Sequence, residues 1–182
     1  MSVVEPHRVL CLSGSLRRVS ANTAVLEAAS ILAPPGLTLA LYRGMGQLPL
    51  FNPDQEVEPL PRTVVDVRAA VENCDALLIA CPEYAHGVPG PFKNLLDWLV
   101  GSLGFPGKPV ALINTSGRGS RHAQAALREI LRTMSAQLLD EVSCTVPTAG
   151  AGCTEAQVLS QPERCRELTL MLGALQQALG RL

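Results

Sequence analysis

The chain has 182 residues, of which 47% are apolar and 17% charged, with a formal net charge of −1. That length suits one domain over residues 1–182 with a core large enough to need no staples. Fifteen basic against sixteen acidic residues give no global attraction to nucleic acid or acidic lipid, so both are excluded as principal partners.

No apolar run reaches the roughly eighteen residues that a membrane span requires. The start, Met1 to Pro6, lacks the basic region and apolar stretch of a secretory signal. These readings point to a cytoplasmic protein without membrane insertion. Cys11, Cys74, Cys81, Cys144, Cys153 and Cys165 form no CxxC pair, which favours buried reduced thiols over a disulfide framework or a metal site.

Arg8 to Ser13 is a near-continuous apolar run and reads as a buried parallel strand. Ala21, Ala24, Val25, Ala28, Ala29 and Leu32 then fall on one helix face, with Ser20 at the N-cap position and Pro34-Pro35-Gly36 as the stop. Leu37 to Tyr42 reads as a second strand. Residues 43–61 form a long loop containing Pro49, Pro53, Pro59 and Pro61, and loops of that length are usually functional or interfacial. A helix over 62–73 buries Val64, Val67 and Val71. Asp75 to Cys81 is the clearest buried strand, and Pro91 opens a helix whose inner face is Phe92, Leu95, Leu96 and Leu99.

Pro109 to Asn114 is the fourth strand. Ala123, Ala126, Leu127, Ile130, Leu131 and Met134 mark the next helix, and Gln137 to Val146 the fifth strand. Residues 147–161 read as irregular, and Leu168 through Leu182 as a terminal helix. Strands alternating with helices imply an α/β fold. The best match is a doubly wound, five-stranded parallel sheet of order 2-1-3-4-5 with helices on both faces.

Ligands in such sheets bind outside the carboxyl ends of the strands. The loops over 13–22, 82–90 and 115–120 should therefore converge. The first leads into a helix N-terminus, whose free N–H groups attract anions. Ser15 and Ser20 add hydroxyls, Asn22 an amide, and Arg17 or Arg18 a guanidinium. This set suits a phosphate monoester and matches neither GxGxxG nor the Walker loop. The second loop is stiffened by Pro89-Gly90-Pro91 and can offer backbone groups to a flat heterocycle. The third, Thr115 to Ser120, has glycines that leave room for a planar ring, with Ser120 as a helix cap. His86 and His122 lie near the site, but spacing assembles no nucleophile–base pair. Glu83 reads as structural and Trp98 as core. A bound cofactor is thus expected to carry the reaction.

Gly14-Ser15-Leu16-Arg17, followed by Ser20 and Asn22, resembles the phosphate loop of the NAD(P)H-dependent FMN reductase family. Pro82-Glu83-Tyr84, Pro89-Gly90, Lys93-Asn94 and Asp97-Trp98 resemble its second block, and Leu48 to Asn52 its loop after strand two. The likeness covers residues 8–146. It implies a flavodoxin-like α/β fold, FMN as cofactor and NADPH or NADH as co-substrate. By the same likeness, hydride is expected to pass to flavin N5 and electrons then to a small-molecule acceptor such as a flavin, quinone, azo dye or metal oxyanion.

It further implies that Ser15, Leu16, Arg17, Ser20, Ala21 and Asn22 surround the phosphate. Pro82, Glu83, Tyr84 and Ala85 border the flavin ring, with Ser116, Gly117 and Gly119 along the other edge. A homodimer or homotetramer is implied as well. Ala85 stands where the family has Asn, Gly87 where a larger residue is common, which suggests a looser loop, and Arg118 interrupts a Gly-Gly pair. A flavodoxin-type electron carrier is the rival reading. Against it, the chain has neither the carrier's Thr-rich phosphate loop nor its acidic surface.

Overall fold

The computed structural model describes residues 5–182. The reading of the extreme N-terminus rests mainly on Met1 to Val4, which lie outside the described residues. β1 (His7–Ser13), β2 (Leu37–Leu41), β3 (Ala76–Ala80) and β4 (Pro109–Asn114) form a parallel sheet, completed by the short β5 (Gln137–Leu138) and β6 (Cys144–Thr145). The order is β2-β1-β3-β4-β5, with β6 also on β4. The helices are α1 (Ala21–Ile31), α2 (Arg62–Glu72), α3 (Gly90–Val100), α4 (Arg121–Thr133), α5 (Glu155–Leu159) and α6 (Pro162–Leu179). This is the flavodoxin-like order expected from the alternation of elements.

Strand side chains alternate between two cores. Val9 and Cys11 of β1 join α1, α5 and α6 on one face, while Leu10 and Leu12 join α2, α3 and α4 on the other. This is the two-residue period of a strand covered on both sides. β3 is buried throughout, as its unbroken apolar run requires. α3 turns Phe92, Leu95, Leu96, Trp98 and Leu99 inward. All six cysteines are free, with Cys144 and Cys165 half-buried rather than fully buried.

Three expectations about the C-terminal part are corrected. The continuous fifth strand over 137–146 is two pieces. Six steps from Leu138 to Cys144 face only three from Val110 to Ile113. Asp140 and Glu141 turn outward while Leu139 and Val142 stay in the core, and Ser143 fills the gap: its Oγ accepts the Leu112 N–H at 3.0 Å and donates to the Leu139 carbonyl at 3.0 Å. The region 147–161 contains α5, opened by a capping box in which the Thr154 hydroxyl accepts the Gln157 N–H and the Gln157 side chain accepts the Thr154 N–H. The pattern Thr154-Glu155-Ala156-Gln157 carries that signal in the sequence. Leu182 lies beyond the end of α6 and is exposed.

Candidate active site

A cavity of about 530 Å³ opens at the carboxyl ends of β1, β3 and β4. Its first wall is the β1–α1 loop. Gly14 is required there, because a Cβ would sit 2.7 Å from the Cys81 sulfur and 3.1 Å from the Pro82 ring. The absence of a side chain lets this loop press against the loop after β3. The Gly14 N–H donates to the Ala80 carbonyl at 2.8 Å.

Two serine hydroxyls shape the descent into α1. Ser13 Oγ accepts the Ser15 N–H at 3.4 Å and Ser15 Oγ accepts the Arg17 N–H at 3.3 Å. The Ser15 hydroxyl keeps its own proton for the cavity. Ser20 occupies the N-cap position, yet its side chain makes no capping bond. It lines the cavity with that hydroxyl uncommitted.

Asn22 is oriented by a buried contact. Thr115 Oγ1 donates to Asn22 Oδ1 at 3.0 Å, across the gap between the first and third loops. With its oxygen engaged, Asn22 has its two N–H donors left for the cavity. The N–H groups of Asn22 and Thr23, in the first turn of α1, have no acceptor among the described residues. Unpaired N–H groups at a helix start, two hydroxyls, an amide and the exposed Arg17 together form an anion cradle. Arg18 instead lines a neighbouring cavity with Glu27 and Arg43.

The second wall follows β3. Pro82, Glu83 and Tyr84 line the cavity. Glu83 Oε2 accepts the Ala123 N–H at 2.9 Å, so its carboxylate caps the first turn of α4 from another loop. Tyr84 and Gly87 exchange two backbone hydrogen bonds, at 3.1 and 2.9 Å. Between them Ala85 and His86 both take positive φ, 48° and 60°, the pattern of a type I′ turn. This closed turn replaces the looser loop expected from Gly87. At such a φ Asn, the residue of the resembled family, is better tolerated than Ala, and nothing in the structure explains why Ala85 stands there. The His86 ring stacks on His122, centroids 4.2 Å apart, which joins the turn to α4.

The third wall is Thr115, Ser116, Gly117, Arg118 and Ser120. Ser120 is no side-chain cap: it sits in the left-handed region at φ 43° and makes no capping bond. Gly119 precedes it at φ 90°.

Three of the expected site residues stand outside the cavity lining. Leu16 is exposed and leans toward Gly46. Ala85 occupies the tip of its turn, and Gly119 faces a separate cavity beside Arg121 and Arg128. Ser15, Arg17, Ser20, Ala21, Asn22, Pro82, Glu83, Tyr84, Ser116 and Gly117 do line it.

Sequence reading missed a fourth wall, Thr148 to Ala151, which follows β6. The Ala21 N–H donates to the Ala151 carbonyl at 3.0 Å and the Thr148 N–H to the Thr115 carbonyl at 3.1 Å. The rule that finds the other loops applies here too, since this one also leaves the carboxyl end of a strand.

The remaining motif residues serve the scaffold. Asn94 accepts the Phe51 N–H at 2.7 Å and donates to the Pro49 carbonyl at 2.9 Å. Trp98 Nε1 donates to the same carbonyl at 2.8 Å, and its ring meets Phe51 edge-on at 5.0 Å. Lys93 pairs with Asp97 one turn along α3. The stretch Leu48 to Asn52 is thus stapled to α3. Burial pushes the Cys81 thiol up to about 12, so the one cysteine next to the site stays protonated at neutral pH. Among the described residues no group of three or more His, Cys, Asp or Glu side chains is arranged to hold a metal ion.

Residues 7–151 match the NADPH-dependent FMN reductase family. The chain belongs to that family. It is 36% identical over 165 residues to an NAD(P)H-dependent FMN reductase of Pseudomonas aeruginosa, covering 88% of each chain. It is 34% identical over 143 residues to a quinone reductase of Escherichia coli, covering 75% of this chain and 76% of the relative. Among solved structures it resembles FerB, a flavoenzyme NAD(P)H:(acceptor) oxidoreductase from Paracoccus denitrificans. There the TM-score is 0.79 at 26% identity, over 96% of this chain and 98% of that one. A flavodoxin from the domain Archaea shares the fold alone, with a TM-score of 0.61 at 12% identity. Membership in the FMN reductase family makes the chain an oxidoreductase with FMN as cofactor and NAD(P)H as co-substrate. No helix among the described residues is long and apolar enough to cross a membrane.

Proposed function

We propose that this reductase holds FMN in the 530 Å³ cavity and uses NADPH or NADH to reduce a small-molecule acceptor of the quinone or flavin class. The observation that carries the reading is the anion cradle at the start of α1. The Ser20 hydroxyl, the Asn22 amide, the free first-turn N–H groups and Arg17 face one end of a cavity that is open along the β3 and β4 loops. These donors fit a terminal phosphate monoester, with Ser15, Arg17, Ser20, Ala21 and Asn22 as its holders. Pro82, Glu83, Tyr84, Ser116 and Gly117 are left to border the flat part of the cofactor.

Bound FMN supplies the two-electron chemistry between NAD(P)H and acceptor. The protein's own groups bind and orient. The Cys81 thiol is held protonated by burial, one oxygen of the Glu83 carboxylate accepts from α4, and His86 and His122 stack on one another. Backbone and hydroxyl donors fixed in the three loops give orientation without needing a catalytic acid or base.

One sheet covered by α1, α5 and α6 on one face and by α2, α3 and α4 on the other supports a single working domain over residues 1–182. Free cysteines without a disulfide support a reducing, cytoplasmic setting. The family resemblance supports a homodimer or homotetramer.

The test is an absorbance spectrum after adding FMN and desalting, followed by NADPH under anaerobic conditions. A retained band near roughly 450 nm, the cofactor's own chromophore, that bleaches with NADPH is expected. Failure to bind FMN in a full titration overturns the reading.

A further inference from the structure

Two cations stand in the cavity lining among the described residues, Arg17 and Arg118. They belong to opposite walls. Arg17 follows β1 and Arg118 follows β4, and β3 lies between those strands. Two strand spacings put the two loops roughly 10 Å apart. Arg17 shares its end of the cavity with the α1 N-terminus and the serine, asparagine and threonine groups described above. Arg118 shares its loop with Thr115 and Ser116 and does not belong to the loop that enters α1.

Its setting is nonetheless built. The Arg118 N–H donates to Ser116 Oγ at 3.2 Å, and Gly119 at φ 90° followed by Ser120 at φ 43° turns the chain back sharply into α4. Asn114 Nδ2 donates to the Gly119 carbonyl at 2.8 Å and Asn114 Oδ1 accepts the Ser116 N–H at 3.1 Å. The loop is therefore tied at its base on both sides of Arg118. Gly117 and Gly119 flank it in the chain, and Arg118 is exposed.

Among the described residues Arg118 has no salt-bridge partner, whereas Arg43, Arg62, Arg68, Arg128 and Arg132 each pair with a carboxylate. The one carboxylate in the same lining, Glu83, is engaged by the Ala123 N–H. An exposed, unpaired guanidinium on the open wall of a redox cavity is suited to an anion that arrives from solvent. The co-substrate brings such anions, and the cradle at α1 already meets the cofactor's phosphate.

We propose that Arg118 is the docking residue for a phosphoryl group of the nicotinamide dinucleotide, and so sets its affinity from the wall opposite the cofactor's phosphate. This rests on the FMN reading above.

The test uses the FMN-loaded protein with NADP+ and NAD+, which bind without reducing the oxidised cofactor. Equilibrium affinity is followed by the change in flavin absorbance or fluorescence, for the wild type, Arg118→Ala and Arg118→Lys. One charge-assisted contact at an exposed site predicts about tenfold weaker dinucleotide binding for Arg118→Ala. It also predicts a shallower salt dependence and partial recovery in Arg118→Lys, which keeps the charge but not the fork.

Loss confined to NADP+ assigns the 2′-phosphate, and equal loss for both dinucleotides assigns the pyrophosphate. Unchanged affinity for both in Arg118→Ala overturns the proposal. So does a changed flavin midpoint potential with unchanged dinucleotide affinity, which makes Arg118 a tuner of the cofactor instead. A wild-type protein that fails to bind FMN at all breaks the earlier reading rather than this one.

Discussion

The two long walls of the cavity are built on different principles. The β1–α1 wall is a set of side-chain donors: the Ser15 and Ser20 hydroxyls, the Asn22 amide and the Arg17 guanidinium, arranged around a helix start. The β3 wall is a shaped backbone. Its turn depends on two positive φ values at Ala85 and His86 and on the Tyr84–Gly87 hydrogen bonds, while Glu83, in the same lining, gives one carboxylate oxygen to the first turn of α4. The first wall recognises charge and the second presents a surface. Mutations should therefore separate them. On the first, ligand affinity falls while the fold stands. On the second, stability moves before affinity does.

The largest effect is expected from Arg17→Ala. A charge-assisted contact to a phosphate contributes roughly 1.5–3 kcal/mol, so FMN should bind about tenfold to a hundredfold more weakly. Arg17 is exposed and takes part in no ion pair among the described residues, so the thermal midpoint of the apoprotein should not move. Fluorescence titration with FMN and a circular-dichroism melt check the two halves. Unchanged affinity would leave the cradle to the helix terminus and hydroxyls alone.

Glu83→Ala tests the opposite wall. Its carboxylate accepts the N–H of the third residue of α4, where Ser120 leaves the helix start without a side-chain cap. Loss of a capping acceptor costs about 0.5–2 kcal/mol, and the negative charge at a helix N-terminus adds to it. The variant should unfold at lower urea by that amount with the slope unchanged. Glu83→Gln should recover part of it, because an amide oxygen still accepts. If stability holds and only turnover falls in Glu83→Ala, the carboxylate acts in the reaction and the division between the walls fails.

The same contrast governs how much could be read from the residues alone. The sheet order and the cores were legible because apolar runs and helical periodicity report burial directly. The donor wall at the start of α1 was legible because its hydroxyls, amide and guanidinium are carried by residue types. What the structure asks of position 85 is a φ of 48°, which the residue name Ala85 does not reveal. The break after Leu138 was hidden because Ser143 substitutes its hydroxyl for a backbone partner, and nothing in an apolar pattern records that exchange. Thr148 to Ala151 escape for a simpler reason: residues 147–161 read as irregular, although they leave the carboxyl end of the last strand.

The smallest expected effect is the sharpest test of the backbone wall. An L-residue with a Cβ in the left-handed region is disfavoured by roughly 1–2 kcal/mol, and glycine there regains most of this while losing more freedom on folding. Ala85→Gly should therefore stabilise the protein by about 0.5–1 kcal/mol, which for a chain of this size is a rise of about 1–4 °C in Tm. Ala85→Asn should move the same way by less, because its short polar side chain tolerates this conformation. Ala85 lines no part of the cavity, so FMN affinity should stay within error in both variants. A lower Tm in Ala85→Gly would mean that the turn does not hold residue 85 at positive φ. A raised Tm with weakened FMN binding would mean that the cofactor reads the flexibility of this turn, and the two walls would then act as one.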